Sequence, residues 1–193
     1  MEPASLIATD LACRRGERLL FRGLSFALSP GEALQLGGPN GTGKSSLIRI
    51  LAGLLRPYAG TVACNHQVAL LDERLALDGH LPLGRALAFW DRIDGGYGPG
   101  PTAALGLDPL LDVPVRFLST GQRKRAAILM SNAWDAGLWL LDEPLNGLDA
   151  EAAAAFQQQV AGYLAGGGIA VIASHQPFAV PGLRRLALAD FAP

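Results

Sequence analysis

Two short stretches carry residues whose types and spacing suit chemistry on a phosphate ester. Residues 38–45 read Gly38-Pro39-Asn40-Gly41-Thr42-Gly43-Lys44-Ser45 and match G-x-x-x-x-G-K-[ST] at every fixed position, with Ser46 following. Glycines let a backbone wrap closely around phosphate oxygens, because they accept backbone angles closed to other residues. A helix that starts at such a loop turns unpaired N–H groups and a positive dipole end toward the anion. Lys44 can then reach the β- and γ-phosphates of a bound nucleotide, and the Ser45 hydroxyl can hold Mg²⁺. A bland alternative exists, a glycine-rich turn that happens to contain a lysine. The apolar run Ala33–Leu36 before the loop and the periodic apolar segment after it argue against that alternative.

The second stretch is Leu138-Trp-Leu-Leu-Asp142-Glu143, an apolar strand that ends in two acids. A buried strand carries its C-terminal residues to the ligand edge of a doubly wound sheet. Asp142 would there hold Mg²⁺, directly or through water. Glu143 falls either on the opposite face of the strand or at the start of the following loop. From there it could orient and deprotonate an attacking water. Alone, an Asp-Glu pair after a strand reads as a solvated turn, and Pro144 ends the strand. With the phosphate loop in the same chain, hydrolysis of a nucleoside triphosphate becomes the stronger reading. A metal brought in with the nucleotide needs no all-protein cage.

The elements that position these residues follow from pattern. Ser5–Leu11, Leu24–Leu28 and Ala33–Leu36 read as short strands, with Pro30-Gly31 as a turn. Leu47, Ile48, Leu51, Leu54 and Leu55 recur at helical spacing, which predicts a helix over Ser45–Leu55 stopped by Pro57 and Gly60. Val68–Leu71 is a further strand. Residues 72–133 form a largely helical insert, with helices at Leu83–Trp90, Thr102–Leu105 and Gln122–Asn132 and a loop from Asp94 to Pro101. Strands Leu138–Leu141, Ile169–Ala173 and Arg184–Ala189 then alternate with the alanine-rich helix Ala150–Leu164. Alternating β and α elements predict an α/β fold with a mainly parallel sheet in one domain over 1–193.

Composition removes several classes. The formal net charge is -1, with 16 basic and 17 acidic residues, so there is no electrostatic footprint for nucleic acid. Cys13 and Cys64 form no Cys-x-x-Cys pair, and no Cys-x-x-Cys-His is present, so neither a metal knuckle nor covalent haem attachment is indicated. Two unpaired thiols fit a reducing compartment. Charged residues break the N-terminal region before it reaches the length of a leader, and no run of ~18 apolar residues occurs. The expectation is an intracellular chain, free in solution or held at a membrane by another subunit.

Leu118-Ser119-Thr120-Gly121-Gln122 resembles the L-S-x-G-Q signature of ABC ATPases, and Ser119 lies 23 residues before Asp142, as order and spacing in that family require. Asn146-Gly-Leu148-Asp149 resembles the family's D-loop, and His175, directly after the strand Ile169–Ala173, resembles its switch histidine. The resemblance covers nearly the whole chain. It implies an ABC-type P-loop NTPase fold: a RecA-like core, an antiparallel β subdomain and a helical subdomain. It also implies that Ser119, Gly121 and Gln122 grip the γ-phosphate held by a second protomer. ATP is then buried in a homodimer, Asp149 crosses the interface, and His175 senses the γ-phosphate. His66 and His80 have no such counterpart and read as surface residues.

Two positions depart from that pattern. Where ABC ATPases carry an aromatic that stacks on adenine, Arg14 and Arg15 stand here, with an arginine plane or Phe21 as substitutes. Where a glutamine is expected after Val68–Leu71, the sequence is Asp72-Glu-Arg74, and Gln67 lies before the strand. Three further stretches, 18–26, 174–177 and 183–188, together with the short length, are similar to the ATPase of the bacterial haem exporter of cytochrome c maturation. That resemblance implies an ATP-hydrolysing subunit working with an integral membrane subunit on the cytoplasmic face of the inner membrane. Its turnover would release a haem-loaded chaperone, and haem itself would be met only indirectly. The rival readings are another short ABC exporter of lipid, peptide or drug, and an ABC ATPase outside transport. The second normally has long coiled coils or tandem ATPase units, and this chain has neither. A nucleotide-gated scaffold without hydrolysis is opposed by Glu143.

Overall fold

A computed structural model describes residues 6–72, 75–94, 101–131 and 136–193. The chain opens with an antiparallel hairpin, β1 (Leu6–Arg15) and β2 (Arg18–Leu28). Gly16, at φ 59°, makes the reversal between them. β3 (Ala33–Gly37) leads into the glycine loop and α1 (Lys44–Leu51), and β4 (Ala59–Cys64) then returns to pair with β1. The insert contains α2 (Leu83–Asp94), the short α3 (Pro101–Ala104) and α4 (Thr120–Met130). β5 (Val68–Leu71) precedes it, and β6 (Leu138–Asp142), α5 (Ala150–Ala165), β7 (Ile169–Ala173) and β8 (Leu183–Ala187) follow it.

Among the described residues these strands form two sheets. One is three-stranded and antiparallel in the order β2-β1-β4; the other has five strands in the order β5-β6-β7-β3-β8. Every pairing in the second sheet is parallel. A parallel sheet with both faces covered needs apolar residues on both faces, and all five residues of β6 and of β7 are buried. Their alternation divides two cores. Leu138, Leu140, Ile169, Val171 and Ala173 pack with α1 and the antiparallel sheet, while Trp139, Leu141, Ala170 and Ile172 pack beneath α5. Trp139 meets Phe156 and Tyr163 edge to face, with ring centroids 5.5 and 5.4 Å away. A third cluster, including Leu83, Leu107, Leu118 and Ala126, gives the insert its own core.

The structure departs from sequence expectation at several boundaries. α1 ends at Leu51 rather than Leu55, because Gly53 at φ 72° turns the chain out of the helix. The Leu54 and Leu55 N–H groups both point to the Arg49 carbonyl. β4 was not foreseen, since it is short and mostly exposed with no apolar alternation. Gly60 sits in it at φ 83°, where a side chain would collide with the Thr9 and Asp10 carbonyls of β1. The last strand ends at Ala187, two residues before the expected limit, and gives way to a short 3-10 helix. Helix α4 ends at Met130; the expected end at Asn132, the expected strand start at Ser5 and most of the Asp94–Pro101 loop lie outside the described residues.

Candidate active site

Because β3 lies inside the parallel sheet, its C-terminal end delivers the glycine loop to the ligand edge. Gly38, Gly41 and Gly43 stand at φ 136°, 81° and 108°, a region that side chains rarely occupy, so the loop's curvature depends on glycine. Thr42 Oγ1 donates to the Pro39 carbonyl at 2.9 Å and braces the loop from within. Lys44 is 6% exposed, and its Nζ donates to the carbonyls of Gly38 (2.7 Å) and Pro39 (3.2 Å), which centres the ammonium in the loop.

The loop is packed from below. A Cβ on Gly43 would lie 3.1 Å from the ring of Phe21 and 3.3 Å from Leu20 Cβ. Phe21 is fully buried, so it supports the loop and cannot stack on a base, contrary to the sequence expectation. Arg14 is also committed: its guanidinium lies 4.8 Å above the Tyr58 ring. Arg15 remains exposed at the end of β1.

The adjacent strand β6 brings Asp142 within reach of α1. Ser45 Oγ donates to Asp142 Oδ1 at 3.0 Å across 97 residues of sequence. Glu143 leaves the strand at φ 45°, which settles the choice left open by alternation: it begins the loop, in a left-handed conformation uncommon for a glutamate. Its N–H is tied to the Ala173 carbonyl at 2.8 Å, and its Oε2 lies 2.9 Å from His175 Nδ1. His175 also directs its backbone N–H to that oxygen at 3.4 Å.

Asn40, Gly41, Gly43, Lys44, Ser45, Ser46, Asp142, Glu143 and His175 therefore line one cavity of about 390 Å³. Two further residues share it without having been singled out as ligands, Leu20 and Asn146. Leu20 sits on a strand whose pattern marks only core. Asn146 lies four residues beyond Asp142, and its Oδ1 accepts from Gln176 Nε2 at 3.2 Å.

Ser119, Gly121, Gln122 and Asp149 do not line this cavity. Ser119 is exposed and caps α4: its Oγ accepts the Gln122 N–H at 3.2 Å while Gln122 Oε1 accepts the Ser119 N–H at 2.8 Å. Gln122 thus spends its side chain on the cap. Asp149 caps α5 through the Ala152 N–H at 2.8 Å, pairs with Arg125 at 3.1 Å, and faces a separate cleft between α3, α4 and α5. Of the residues expected to replace the glutamine after β5, Glu73 and Arg74 lie outside the described residues.

Comparison with known proteins gives this geometry a family. Residues 21–82 match the ABC transporter family model. The chain is 60% identical over 193 residues to the cytochrome c biogenesis ATP-binding export protein CcmA of Novosphingobium aromaticivorans, covering 100% of each chain. It is 50% identical to the protein of that name from Sphingopyxis alaskensis, over 97% of this chain and 98% of that one. A solved ATP-binding subunit of an ABC transporter superposes with a TM-score of 0.78 at 24% identity, covering 88% of this chain and 79% of the other, and shares the fold. The chain belongs to the CcmA family of ABC transporter ATP-binding proteins.

Proposed function

We propose that this chain hydrolyses ATP as the motor of a haem-export complex in c-type cytochrome biogenesis. One observation carries the hydrolytic reading: Lys44, Ser45, Asp142, Glu143 and His175, drawn from three separate parts of the sequence, converge on a single cavity. In this reading the loop N–H groups and Lys44 hold the β- and γ-phosphates. Glu143 accepts a proton from water as the water oxygen bonds to the γ-phosphorus and the bond to the β–γ bridging oxygen breaks, releasing ADP and phosphate. The left-handed turn at Glu143 and its contact with His175 hold the carboxylate in place, and His175 reports whether the γ-phosphate is present.

A Mg²⁺ ion suits the pair Ser45–Asp142, a hydroxyl and a carboxylate whose oxygens already lie 3.0 Å apart. It would neutralise charge building on the phosphates. Arg15 is the plane we assign to the base, since Arg14 is stacked on Tyr58 and Phe21 is buried.

Ser119, exposed at the start of α4, and the half-buried Gly121 beside it, both outside the cavity of their own chain, suit a role in the site of a second copy. Two chains would then enclose two ATP molecules. Among the described residues no helix is long and apolar enough to cross a membrane. In this reading the chain works with an integral membrane subunit, at the cytoplasmic face where ATP is supplied. Haem is met only through that partner.

The test is Glu143→Gln in the complex assembled with its membrane subunits. ATP binding should persist while hydrolysis and maturation of c-type cytochromes fail. Undiminished turnover would remove Glu143 as the base. Lost turnover with normal cytochrome maturation would separate this ATPase from haem handling.

A further inference from the structure

Lys124 reaches the hydrolytic loop from the helical insert. It lies on α4, is 7% exposed, and its Nζ donates to the backbone carbonyl of Glu143 at 3.0 Å. Burying an ammonium is costly unless it is paired and hydrogen-bonded, and this bond to the loop is part of that compensation. The contact falls at a strained point. Glu143 stands at φ 45°, and such conformations persist only where the surroundings hold them. Ala173 O holds its N–H, His175 holds its carboxylate, and Lys124 holds its carbonyl.

α4 grips the same loop twice more. Gly121 lies so close to the Gly147 carbonyl that a Cβ would stand 2.6 Å from it, and Arg125 pairs with Asp149 at 3.1 Å. The helix that begins with the Ser119 cap therefore also holds the backbone from Glu143 to Asp149 at both ends and near the middle.

We propose that Lys124 is a positioning residue for hydrolysis. It locks the left-handed turn of Glu143 so that the carboxylate faces the attacking water. Being carried by the helix whose start meets the partner's nucleotide, it transmits engagement of one ATP site to the base of the other. This rests on the reading of Glu143 as the base and of Ser119 as a contact to the second protomer.

The experiment compares Lys124→Met, which keeps length and loses the donor, with Lys124→Gln, which keeps a neutral N–H donor, in the assembled membrane complex. A Glu143→Gln control runs beside them. The expected result for Lys124→Met is a fall in kcat on the order of 10²-fold, the scale of a catalytic group misplaced by about an ångström. The KM for ATP should stay within about twofold, because ground-state binding is untouched. Lys124→Gln should recover much of the loss. Combined with Glu143→Gln, Lys124→Met should still form the ATP-dependent dimer. Unchanged kcat in Lys124→Met beside an inactive Glu143→Gln overturns the clamp and leaves the base in place; an active Glu143→Gln overturns the base itself. A raised KM with lost dimerisation, or no recovery in Lys124→Gln, overturns positioning in favour of a merely structural lysine. Thermal melting accompanies each variant, and if Lys124→Met does not fold, the kcat of Lys124→Gln decides: a value equal to that of Glu143→Gln overturns the proposal.

Discussion

Gly121→Ala sets two physical effects against each other. Alanine is favoured over glycine in a helix by up to ~1 kcal/mol, so propensity alone predicts a more stable protein. The new Cβ, however, would stand 2.6 Å from the Gly147 carbonyl oxygen, whereas an ordinary contact begins near 3.4 Å. One of the two backbones must move by about 0.8 Å, the difference of those distances. Neither is free to do so cheaply. α4 is fixed by its reciprocal cap at Ser119 and Gln122, and Gly147 sits at φ 82° beside Thr120. Overpacking of this kind costs about 1–3 kcal/mol, which exceeds the propensity gain. Net destabilisation of about 1–2 kcal/mol lowers the Tm by roughly 2–8 °C in a chain of this length. The displaced loop carries Glu143 at one end and Asp149 at the other, so turnover should fall on the order of 10²-fold. Differential scanning calorimetry and steady-state phosphate release measure both, and ATP binding at Lys44 should be preserved. A variant that melts higher and turns over normally would refute the close approach of α4 to this loop.

Lys44→Ala removes the ammonium centred in the glycine loop and should weaken ATP binding severely by calorimetric titration, with no comparable loss of fold; unchanged affinity would contradict the phosphate role. Asp149→Ala should cost about 1 kcal/mol through the lost cap on α5, whereas Asp149→Asn, which can still accept the Ala152 N–H, should cost only a few tenths; equal losses in urea unfolding would place the weight on the Arg125 ion pair instead. Burial pushes the Tyr163 hydroxyl up to about 12 from an ordinary 10, against the opposing effect of a backbone hydrogen bond. The folded chain thus keeps this proton where the unfolded chain has lost it. The stability tied to it is complete below pH ~10 and declines as pH rises toward 12, by about 2–3 kcal/mol in all. Tyr163→Phe, though less stable at neutral pH through the lost bond to Ala136 O, should lack that alkaline decline, and parallel curves for the two proteins would contradict it.

Much of the candidate site's layout was legible because its residues stand in contiguous runs. Lys44 and Ser45 sit in one octapeptide and Asp142 and Glu143 in one dipeptide, and the parallel sheet, itself evident from β–α alternation, brings the two runs together. What could not be read was conformation and long-range contact. Nothing in the letters says that Glu143 turns left-handed rather than continuing the strand. Phe21 looked available as a base platform until packing placed it beneath Gly43. Gln122 matched a family position, yet its geometry is that of a helix cap. β4 escaped because its pairing with β1, not its own pattern, makes it a strand. Lys124 escaped for the same reason: a lysine among basic residues on a helix reads as solvated surface until its carbonyl partner 19 residues away is seen.

Mixing two inactive proteins tests the shared site most directly. Lys44→Ala breaks the glycine cradle and Ser119→Arg blocks the cap. If each ATP is held by the cradle of one protomer and the cap of the other, a mixed dimer of the two variants retains one intact site. Turnover should therefore reappear on mixing. A double variant, Lys44→Ala with Ser119→Arg, paired with an unaltered chain should have no intact site and stay inactive within the mixed dimer. Silence in the first mixture and activity in the second would mean that each chain completes its own site, and would contradict the account.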